Sequence, residues 1–387
     1  MTRKVAIVGS GLTKFGEHWD KSFRDMIAEA GVKAVADAGI DGKEIQAIYG
    51  STMASGRFIG QEHVGALIAD HLGLNPMEST RLEAACASGS VALRTAFLAI
   101  KSGRYDVVAV GGIEKMTDVS TAAASFALGG AGDQETELFF GATFPALYAL
   151  MADRYMHDFG ATEEQMAAVA VKNHANAMHN EFAQFHKEIT IEEVMDSGYV
   201  ATPLKLLDCS PITDGAAVTI IAEEKRAKEI CDNAIEILSL EQASDTIALA
   251  NRKSLTEINA TKVAVKKVFD CTGLSVKDIG FVEVHDCFTI AEILATEDLG
   301  FFKKGQGAKA VEEEKTKLDG EIAVNPSGGL KGGGHPVGAT GIKQAIEASI
   351  QLKGQAGKRQ VKEAEIGMTH NVGGSGATAV VGLYRRL

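Results

Sequence analysis

The sequence predicts an α/β protein made of two similar halves, with a mostly helical segment inserted into the first half. Three observations lead to this prediction. The composition is that of a folded chain, with 45% hydrophobic and 23% charged residues. The 42 glycines occur in short clusters beside apolar runs, as expected at tight turns between helices and strands. A helix–glycine–strand pattern occurs twice, and 387 residues are enough for two or three domains.

The chain opens with a buried strand, residues 4–11, that runs into a glycine turn. This turn begins like a dinucleotide-binding fingerprint. Lys14 stands where that motif needs its third glycine, however, and Gly16 interrupts any following helix. We therefore exclude a dinucleotide site of this type.

An internal repeat is the strongest sign of domain organisation. Residues 26–51 have the pattern of an amphipathic helix, a glycine stop and a buried strand. Residues 260–285 repeat this order, with Gly39 aligned to Gly273. Chance similarity between α/β units is common, so a second match is needed.

The second match relates the small-residue helix that opens at Cys86 to the helix that opens at His335, each followed by a strand. Two matches in the same order predict a duplicated unit, with one half over residues 1–232 and the other over residues 233–387. The halves should meet along these equivalent helices. Residues 118–207 interrupt the first half with an Ala/Gly-rich stretch and then helical periodicity, which predicts a mostly helical insertion.

Charge and cysteine content exclude several classes of function. The net charge of −12 argues against a nucleic-acid partner, because such binding needs a basic surface. There is no signal-peptide pattern and no apolar run of membrane-spanning length, so we expect a cytoplasmic protein with no membrane contact. The cysteines are odd in number and scattered without a C-x-x-C pair, which argues against a disulfide framework or a structural metal site: Cys86, Cys209, Cys231, Cys271 and Cys287.

Cys86 and His335 are the first candidates for chemistry. Cys86 lies in E-A-A-C-A-S-G-S at a predicted helix start, where free backbone N–H groups and the helix dipole favour a thiolate. His335 lies in G-G-G-H-P, where glycines allow close approach to a ligand. A buried structural cysteine and a histidine that caps a turn are the alternatives. The repeat favours function, because equivalent helix starts would bring a nucleophile and its base together.

Two further segments follow predicted strands. His285 and Cys287 come directly after the strand F-V-E-V, where α/β proteins place ligand sites. A metal pair or a polar strand end with a buried thiol are the alternatives. The loop at residues 370–376, H-N-V-G-G-S-G, presents successive N–H groups that suit an oxyanion hole or a plain hairpin. The remaining three cysteines have no nearby base and are interpreted as structural.

Together these motifs resemble the four active-site motifs of the thiolases: E-A-A-C-A-S-G, V-H-D-C-F, G-G-G-H-P-V-G-A-T-G and H-N-V-G-G-S-G. The stretch D-C-S-P-I-T-D-G-A-A resembles the end of the inserted loop domain in that family. The H-D-C-F form is similar to sterol-carrier-protein-type thiolases and to archaeal acetoacetyl-CoA thiolases, and E-K-M-T-D-V favours the archaeal branch. The resemblance implies two βαβαβαββ halves in a five-layered α/β/α/β/α arrangement, a loop domain that binds CoA, and a homodimer or homotetramer.

The resemblance also implies residue roles. Cys86 is the acylated nucleophile, His335 its base, and Cys287 the acid/base thiol that biosynthetic and degradative thiolases carry instead in a C-terminal C-x-G loop. One oxyanion hole is formed by the backbone N–H groups of Cys86 and Gly373. The other is formed by His335 and a water held by His285. Ser210 matches a position near the pantetheine of CoA.

The implied function is that of an acetyl-CoA C-acetyltransferase, which condenses two acetyl-CoA to acetoacetyl-CoA and CoA and supplies the mevalonate route to isoprenoids. We expect no metal and no permanently bound cofactor, since coenzyme A is part of substrate and product. Hydroxymethylglutaryl-CoA synthase and a small zinc/OB-fold protein are implied partners. The alternatives are a 3-ketoacyl-CoA thiolase of fatty-acid or sterol side-chain degradation and a non-catalytic acyl-CoA-binding subunit. A short acyl pocket would be walled by five large side chains of the insertion: Phe139, Phe140, Phe144, Tyr148 and Met151.

Overall fold

A mixed ten-stranded sheet forms the centre of the chain. The computed structural model describes residues 3–387. In this part of the chain the strands are β1 (Val5–Leu12), β2 (Ala47–Ser51), β3 (Glu78–Leu82), β4 (Val107–Glu114), β5 (Tyr199–Ala201), β6 (Leu204–Lys205), β7 (Gly215–Glu223), β8 (Ile235–Ser244), β9 (Phe281–Glu283), β10 (Ala323–Val324), β11 (Ile366–Gly373) and β12 (Thr378–Arg386). Strands β5 and β6 pair separately, and the other ten follow the order β10-β9-β11-β12-β8-β1-β7-β4-β2-β3.

Helices cover both faces of this sheet. Over the same residues they are α1 (Phe23–Ala38), α2 (Ser55–Phe58), α3 (Val64–His71), α4 (Ser88–Lys101), α5 (Thr121–Gly129), α6 (Phe144–Phe159), α7 (Glu163–Ala177), α8 (Ile191–Met195), α9 (Glu224–Ile230), α10 (Asn259–Thr272), α11 (Thr289–Asp298), α12 (Gly307–Glu312) and α13 (Thr340–Leu352). Within residues 3–387, none of the helices combines the length and apolar character needed to cross a bilayer.

The two halves of the sheet have the same topology. In the first half the order is β1-β7-β4-β2-β3, and in the second it is β8-β12-β11-β9-β10. In each, the first two pairings are antiparallel and the last two are parallel. The repeated helices α1 and α10 both end at a glycine in the left-handed region, Gly39 at φ 67° and Gly273 at φ 72°. The duplicated α/β fold is therefore confirmed.

The halves are joined through their first strands. β1 pairs antiparallel with β8, with Ala6 opposite Glu236 and Ile7 opposite Ile235, so that the two five-stranded units form one continuous sheet. The predicted boundary after residue 232 lies in the connection between α9 and β8.

Helices α4 and α13 form the central layer. They contact each other, and each contacts strands of both halves, while α1 covers β1 and β7 outside the first half and α10 covers β8 and β12 outside the second. This arrangement gives the expected five layers, α/β/α/β/α. The two central helices approach closely at glycines, since a Cβ on Gly341 would lie 2.2 Å from Ser90 Oγ and one on Gly89 would lie 2.9 Å from the Gly338 oxygen.

The insertion between β4 and β7 is mostly helical, as expected. It contains α5 to α8 and the β5–β6 hairpin. Helix α7 packs on α11 and α12 of the second half. A buried ion pair between Lys172 and Glu292, 2.8 Å apart, fixes this contact. The insertion therefore lies over the second half, next to the ends of the strands that carry the predicted site.

Candidate active site

Cys86 lies in a tight turn between β3 and α4. Ala85, the residue before it, has a φ of 52°, a left-handed conformation that costs a non-glycine residue roughly 1–2 kcal/mol. Ser88 holds this turn, because its Oγ accepts the Ala84 N–H at 2.9 Å and donates to the Ala85 oxygen at 2.5 Å. Helix α4 begins at Ser88, two residues after Cys86, whereas the sequence predicted a helix that starts at Cys86.

The His335 side chain is held in one orientation by Thr340, the first residue of α13. The Thr340 hydroxyl donates to the Pro336 oxygen at 3.1 Å, so it must accept from His335 Nδ1, which lies 2.7 Å away. The neutral ring therefore carries its proton on Nδ1. Its Nε2 is buried, has no partner among residues 3–387, and keeps a free lone pair. The backbone N–H of His335 is fixed by Thr213 Oγ1 at 2.9 Å.

The His285 ring has the opposite tautomer. The Asn371 amide nitrogen, which can only donate, lies 3.1 Å from His285 Nδ1. The proton of the neutral ring is therefore on Nε2, which is also buried and has no partner in the described part of the chain. The site thus contains one imidazole that can accept a proton and one that can donate a hydrogen bond.

Cys86, His285 and His335 form a compact group, called here the thiol–imidazole cluster. The cysteine sulfur and one ring nitrogen from each histidine all lie within 4.8 Å of one another. The two rings pack edge to face with their centroids 5.0 Å apart. Cys287 is buried beside the cluster, close enough that a charge on Cys86 raises its pKa. The structure therefore brings together all four predicted catalytic side chains, one from the first half and three from the second.

Both thiols of the site have raised pKa values. Burial raises the pKa of the Cys86 thiol to about 12, an effect that the backbone N–H groups of Gly374 and of Cys86 itself partly offset. Burial also holds the pKa of Cys287 well above its usual range, and the charge of Cys86 adds to this. The shift of the Cys86 pKa is opposite to the one expected from a helix start, because loss of hydration outweighs the nearby N–H dipoles.

The imidazoles are neutral for the same reason. Burial, with the neighbouring Lys343 ammonium, lowers the pKa of His335 to about 3. Burial, followed by charge on His335 and His370, holds the pKa of His285 well below its usual range. The cluster and the adjacent Cys287 are therefore neutral at pH 7, so the tautomers of the two imidazoles decide which atoms accept and which donate.

Asp286, between His285 and Cys287, is a functional residue that the sequence reasoning missed. Its carboxylate accepts the backbone N–H groups of Leu330 at 2.7 Å and Lys331 at 3.1 Å, and the Asn173 amide at 2.7 Å. It therefore ties the strand end that carries His285 to the glycine loop that carries His335. Burial raises the pKa of Asp286, and the nearby Glu292 adds to this. Its position inside the H-D-C-F motif was the available signal.

The proposed acyl wall is only partly correct. Phe139 and Phe140 are 80% and 77% exposed, so they do not line a buried pocket in this chain, and that part of the prediction is wrong. Tyr148 and Met151 lie on the inner face of α6 and are fully buried. Tyr148 lies against the site itself, since its hydroxyl donates to the Gly374 oxygen at 3.1 Å.

Gly373 and Ser210 lie where the backbone of the site is crowded. A Cβ on Gly373 would come within 2.4 Å of the Ala84 oxygen, so this strand passes directly against the Cys86 turn. The N–H group that reaches the Cys86 sulfur is that of the next residue, Gly374. The assignment of Gly373 to an oxyanion hole stays a prediction. Ser210 donates its backbone N–H to the Cys287 oxygen at 2.9 Å, and its role towards pantetheine also stays a prediction.

The other residues of the predicted motifs lie outside the cluster. His370 bonds through Nε2 to Thr261 Oγ1 on α10 at 2.8 Å. Cys209 is half-buried, with its sulfur 3.4 Å from the Lys205 oxygen, and Cys271 is exposed on α10. A thiol and two imidazoles are ligands that soft divalent cations accept, so within residues 3–387 the thiol–imidazole cluster is the group most suited to such an ion.

Comparison with known proteins finds a family match over almost the whole chain. The family model "Thiolase, N-terminal domain" matches residues 5–225, and "Thiolase C-terminal domain-like" matches residues 241–386. The chain is 54% identical to an acetyl-CoA acetyltransferase of Methanothermobacter thermautotrophicus, covering 99% of this chain and 100% of that protein. It is 33% identical to sterol carrier protein 2 of Bos taurus, covering 100% of this chain and 73% of that protein. Among solved structures, the Ltp2-ChsH2(DUF35) aldolase shares the fold, with a TM-score of 0.85, 23% identity, and coverage of 98% of this chain and 97% of that one.

Proposed function

Because the chain belongs to the thiolase family and is therefore an acyltransferase, we propose that it condenses two acetyl-CoA molecules to acetoacetyl-CoA and CoA, and catalyses the reverse thiolysis. The observation that carries this proposal is the grouping of Cys86, Cys287 and two oppositely protonated imidazoles around one small volume. Claisen chemistry on a thioester needs a nucleophile, two proton-transfer groups and donors for two oxyanions, and this set of side chains supplies them.

The first half-reaction acylates Cys86. The free lone pair of His335 Nε2 takes the thiol proton, and the sulfur attacks the acetyl-CoA carbonyl. Backbone N–H groups at the Cys86 turn, with Gly373 as the predicted second donor, hold the resulting oxyanion, and each such donor typically contributes about 3 kcal/mol. The bond to the CoA sulfur then breaks. Cys287 gives its proton to that sulfur, so the site is left with an acetyl-cysteine, an imidazolium and a Cys287 thiolate.

The second half-reaction forms the carbon–carbon bond. The Cys287 thiolate removes a proton from the methyl group of a second acetyl-CoA. The enolate oxygen is held by the Nε2–H of the His335 imidazolium and by the Nε2–H of His285, directly or through a water. The enolate carbon attacks the acetyl group on Cys86. When the tetrahedral intermediate collapses, the Cys86 sulfur recovers its proton from His335, and all groups return to their starting state.

Charge coupling between the two thiols sets the order of these steps. A negative Cys86 raises the pKa of Cys287, because the two charges would lie side by side in a buried site. Acylation converts Cys86 into a neutral thioester and removes that repulsion. The Cys287 thiolate therefore becomes more accessible only after the acyl-enzyme has formed, which is when condensation needs it.

Acetyl is the favoured acyl group for two reasons. The relative that shares 54% of its residues over the full chain carries the name acetyl-CoA acetyltransferase. Tyr148 also fills space near Cys287 with a large buried side chain. A second candidate, thiolysis of longer 3-ketoacyl-CoA as in fatty-acid or sterol side-chain degradation, is favoured by the 33% identity to sterol carrier protein 2.

The setting of the enzyme is also proposed. The exposed outer edge of β3, at one end of the sheet, would accept the same strand of a second copy and give a homodimer, which can pair again to a tetramer. We place Ser210 on the pantetheine path, because it is bonded to the Cys287 segment. The acetoacetyl-CoA product would enter isoprenoid synthesis through hydroxymethylglutaryl-CoA synthase, with a small zinc/OB-fold protein as a further partner, in the cytoplasm.

Mass spectrometry after incubation with acetyl-CoA tests the catalytic proposal. The intact protein should gain one acetyl group, located to the peptide that contains Cys86. His335→Ala should suppress this acylation. Cys287→Ala should keep most of it, because the CoA sulfur is a good leaving group, but should lose condensation. Cys271→Ala, at an exposed thiol, is the matched control and should behave as wild type.

Three outcomes would contradict the proposal. A label on Cys287 or Cys209 would show that the nucleophile is misassigned. Absence of any label would favour a non-catalytic acyl-CoA-binding subunit. Similar kcat/KM for acetoacetyl-CoA and for a 3-ketoacyl-CoA of about eight carbons would favour the long-chain candidate, since a filled pocket resists added methylenes.

A further inference from the structure

Tyr148 is a buried phenol at the reacting thiols for which the steps above have no use. It lies on α6 and is 1% exposed. Its ring packs against Phe288, with centroids 4.7 Å apart and planes inclined by 31°, which fixes the position of the hydroxyl. The hydroxyl donates to the Gly374 oxygen at 3.1 Å. The ring lies against the residue that follows Cys287, and the nearby hydroxyl partly offsets the rise that burial causes in the pKa of the Cys287 thiol.

The hydroxyl has one proton and two possible acceptors, the Gly374 oxygen and the Cys287 sulfur. While Cys287 is a neutral thiol, the phenol proton is donated to the Gly374 carbonyl. When Cys287 loses its proton, its sulfur becomes a charged acceptor in a buried site. Hydrogen bonds to charged groups are stronger than those to a neutral carbonyl. The phenol proton is then better placed on the sulfur.

We propose that Tyr148 is the donor that stabilises the Cys287 thiolate between the two half-reactions, its hydroxyl turning from the Gly374 carbonyl to the sulfur as the thiol ionises. This inference rests on the proposed role of Cys287 as the base of condensation. Tyr148 touches a reacting atom, so its contribution should be specific to the second half-reaction. No bond is made or broken by the phenol itself, and its proton stays on the oxygen throughout.

A purely structural role predicts a different pattern. The same hydroxyl holds the carbonyl of Gly374, whose N–H points to the Cys86 sulfur. If Tyr148 only supported this loop, its removal would disturb acylation of Cys86 at least as much as condensation. If it serves the Cys287 thiolate, acylation is preserved and condensation is lost. The two half-reactions therefore separate the two roles.

The experiment compares Tyr148→Phe with Tyr384→Phe. Tyr384 is an equally buried tyrosine whose hydroxyl contacts Thr369 at 3.3 Å, away from the thiols, so the control removes the same atoms elsewhere. Single-turnover acetylation of Cys86 should change by less than about twofold in either variant. Steady-state condensation should fall by about tenfold or more in Tyr148→Phe alone, the effect of one hydrogen bond to a charged group.

A direct readout of the thiol makes the test independent of catalysis. Iodoacetamide alkylation of the Cys287 peptide, followed against pH in a Cys86→Ser background, reports how readily Cys287 ionises. Adding Tyr148→Phe should move this profile to higher pH by about one unit or more. Site-specific 3-fluorotyrosine at position 148, a more acidic phenol of nearly the same shape, should move it to lower pH. This second variant answers the question if the phenylalanine variant does not fold.

The outcomes distinguish this inference from the proposed function. An alkylation profile unchanged by both replacements overturns the role of Tyr148, even if Cys287→Ala abolishes condensation. A Tyr148→Phe protein that loses acylation in parallel with condensation overturns it in favour of loop support. If Cys287→Ala condenses at the wild-type rate, the proposed function fails instead, while a shifted profile would still establish the Tyr148–thiolate hydrogen bond.

Discussion

Thr340 and Asn371 should control the two half-reactions separately, because each fixes the tautomer of a different histidine. Replacing Thr340 with valine keeps the shape of the side chain but removes the acceptor for His335 Nδ1–H. The tautomer with its proton on Nδ1 then loses its stabilising hydrogen bond. The tautomer with a proton on Nε2, which could not accept the Cys86 proton, becomes populated. Replacing Asn371 with leucine instead removes the donor to His285 Nδ1, so Nε2 loses its fixed proton.

The magnitude follows from burial. Both rings are buried, and a buried N–H left without an acceptor costs about 1–3 kcal/mol. At about 1.4 kcal/mol per factor of ten, this corresponds to a loss of roughly five- to 150-fold in the affected step. Thr340→Val should lower the rate of Cys86 acylation by this factor. Asn371→Leu should leave acylation within about twofold of wild type and lower condensation, because His285 is the proposed donor to the enolate.

Rapid-quench acetylation and steady-state condensation, measured on both variants, check this. Thr340→Ser retains the hydroxyl and is the matched control, with acylation close to wild type. Nitrogen-15 NMR of the histidines reports the tautomers directly and should show the His335 proton on Nδ1 in the wild-type protein. Wild-type acylation by Thr340→Val, or equal losses in both steps for both variants, would refute the tautomer assignment.

Three further outcomes are expected from other parts of the structure. Gly341→Ala should lower the free energy of unfolding by about 1–3 kcal/mol in urea titrations, since its Cβ would lie 2.2 Å from a serine hydroxyl of α4. Gly31→Ala is the control, because a Cβ there would have no atom nearer than 3.9 Å. Equal stability of the two variants would contradict the close contact between the central helices. Zinc ions should bind the thiol–imidazole cluster and inhibit the enzyme competitively with acetyl-CoA, and a chelator should restore activity. Bound zinc should also protect Cys86 from alkylation. Unchanged alkylation of Cys86 in the presence of zinc would exclude this site. Burial lowers the pKa of His370 to about 3 from an ordinary value near 6.5, so the unfolded chain binds the extra proton first and stability is lost as the pH falls between these values. His370→Gln should reduce the slope of unfolding free energy against pH in this range by about 1.4 kcal/mol per pH unit. Equal slopes for the variant and the wild type would contradict the buried neutral ring.

The architecture was accessible from the sequence because duplication leaves a pattern in the chain itself. The alignment of Gly39 with Gly273 reflects a backbone requirement, since both end a helix in a conformation that glycine adopts without strain. Two such matches in order were enough to predict the repeated unit and the central pair of helices. The pairing of β1 with β8 was not foreseen, because nothing in a strand sequence says which edge it joins.

The sequence motifs identify the residues of the candidate site, but they do not predict which ring atom of each histidine carries a proton. Cys86, His335, His285 and Cys287 stand out by their glycine-rich or strand-end surroundings. The protonation of the rings depends on Thr340 and Asn371, which is a matter of contacts formed only in the fold.

Two other features of the site could not be derived from local sequence. Burial raises the pKa of Cys86, against the expectation from its helix start, because desolvation is set by distant segments that cover the turn. The prediction that Phe139 and Phe140 wall the acyl pocket failed for the same reason, since the fold of the insertion leaves both side chains exposed.

The symmetric seam between β1 and β8 has an evolutionary consequence. Identical strand order on both sides, an antiparallel first-strand pair and two abutting central helices are what a dimer of a half-length ancestor would have had around its two-fold axis. In such a dimer the two helix starts would have been chemically the same. A single chain is free of that constraint, and here one turn carries Cys86 and the other carries His335. The proposed proton transfer from Cys86 to His335 needs one residue from each half, so a fragment cut at the seam could not perform it.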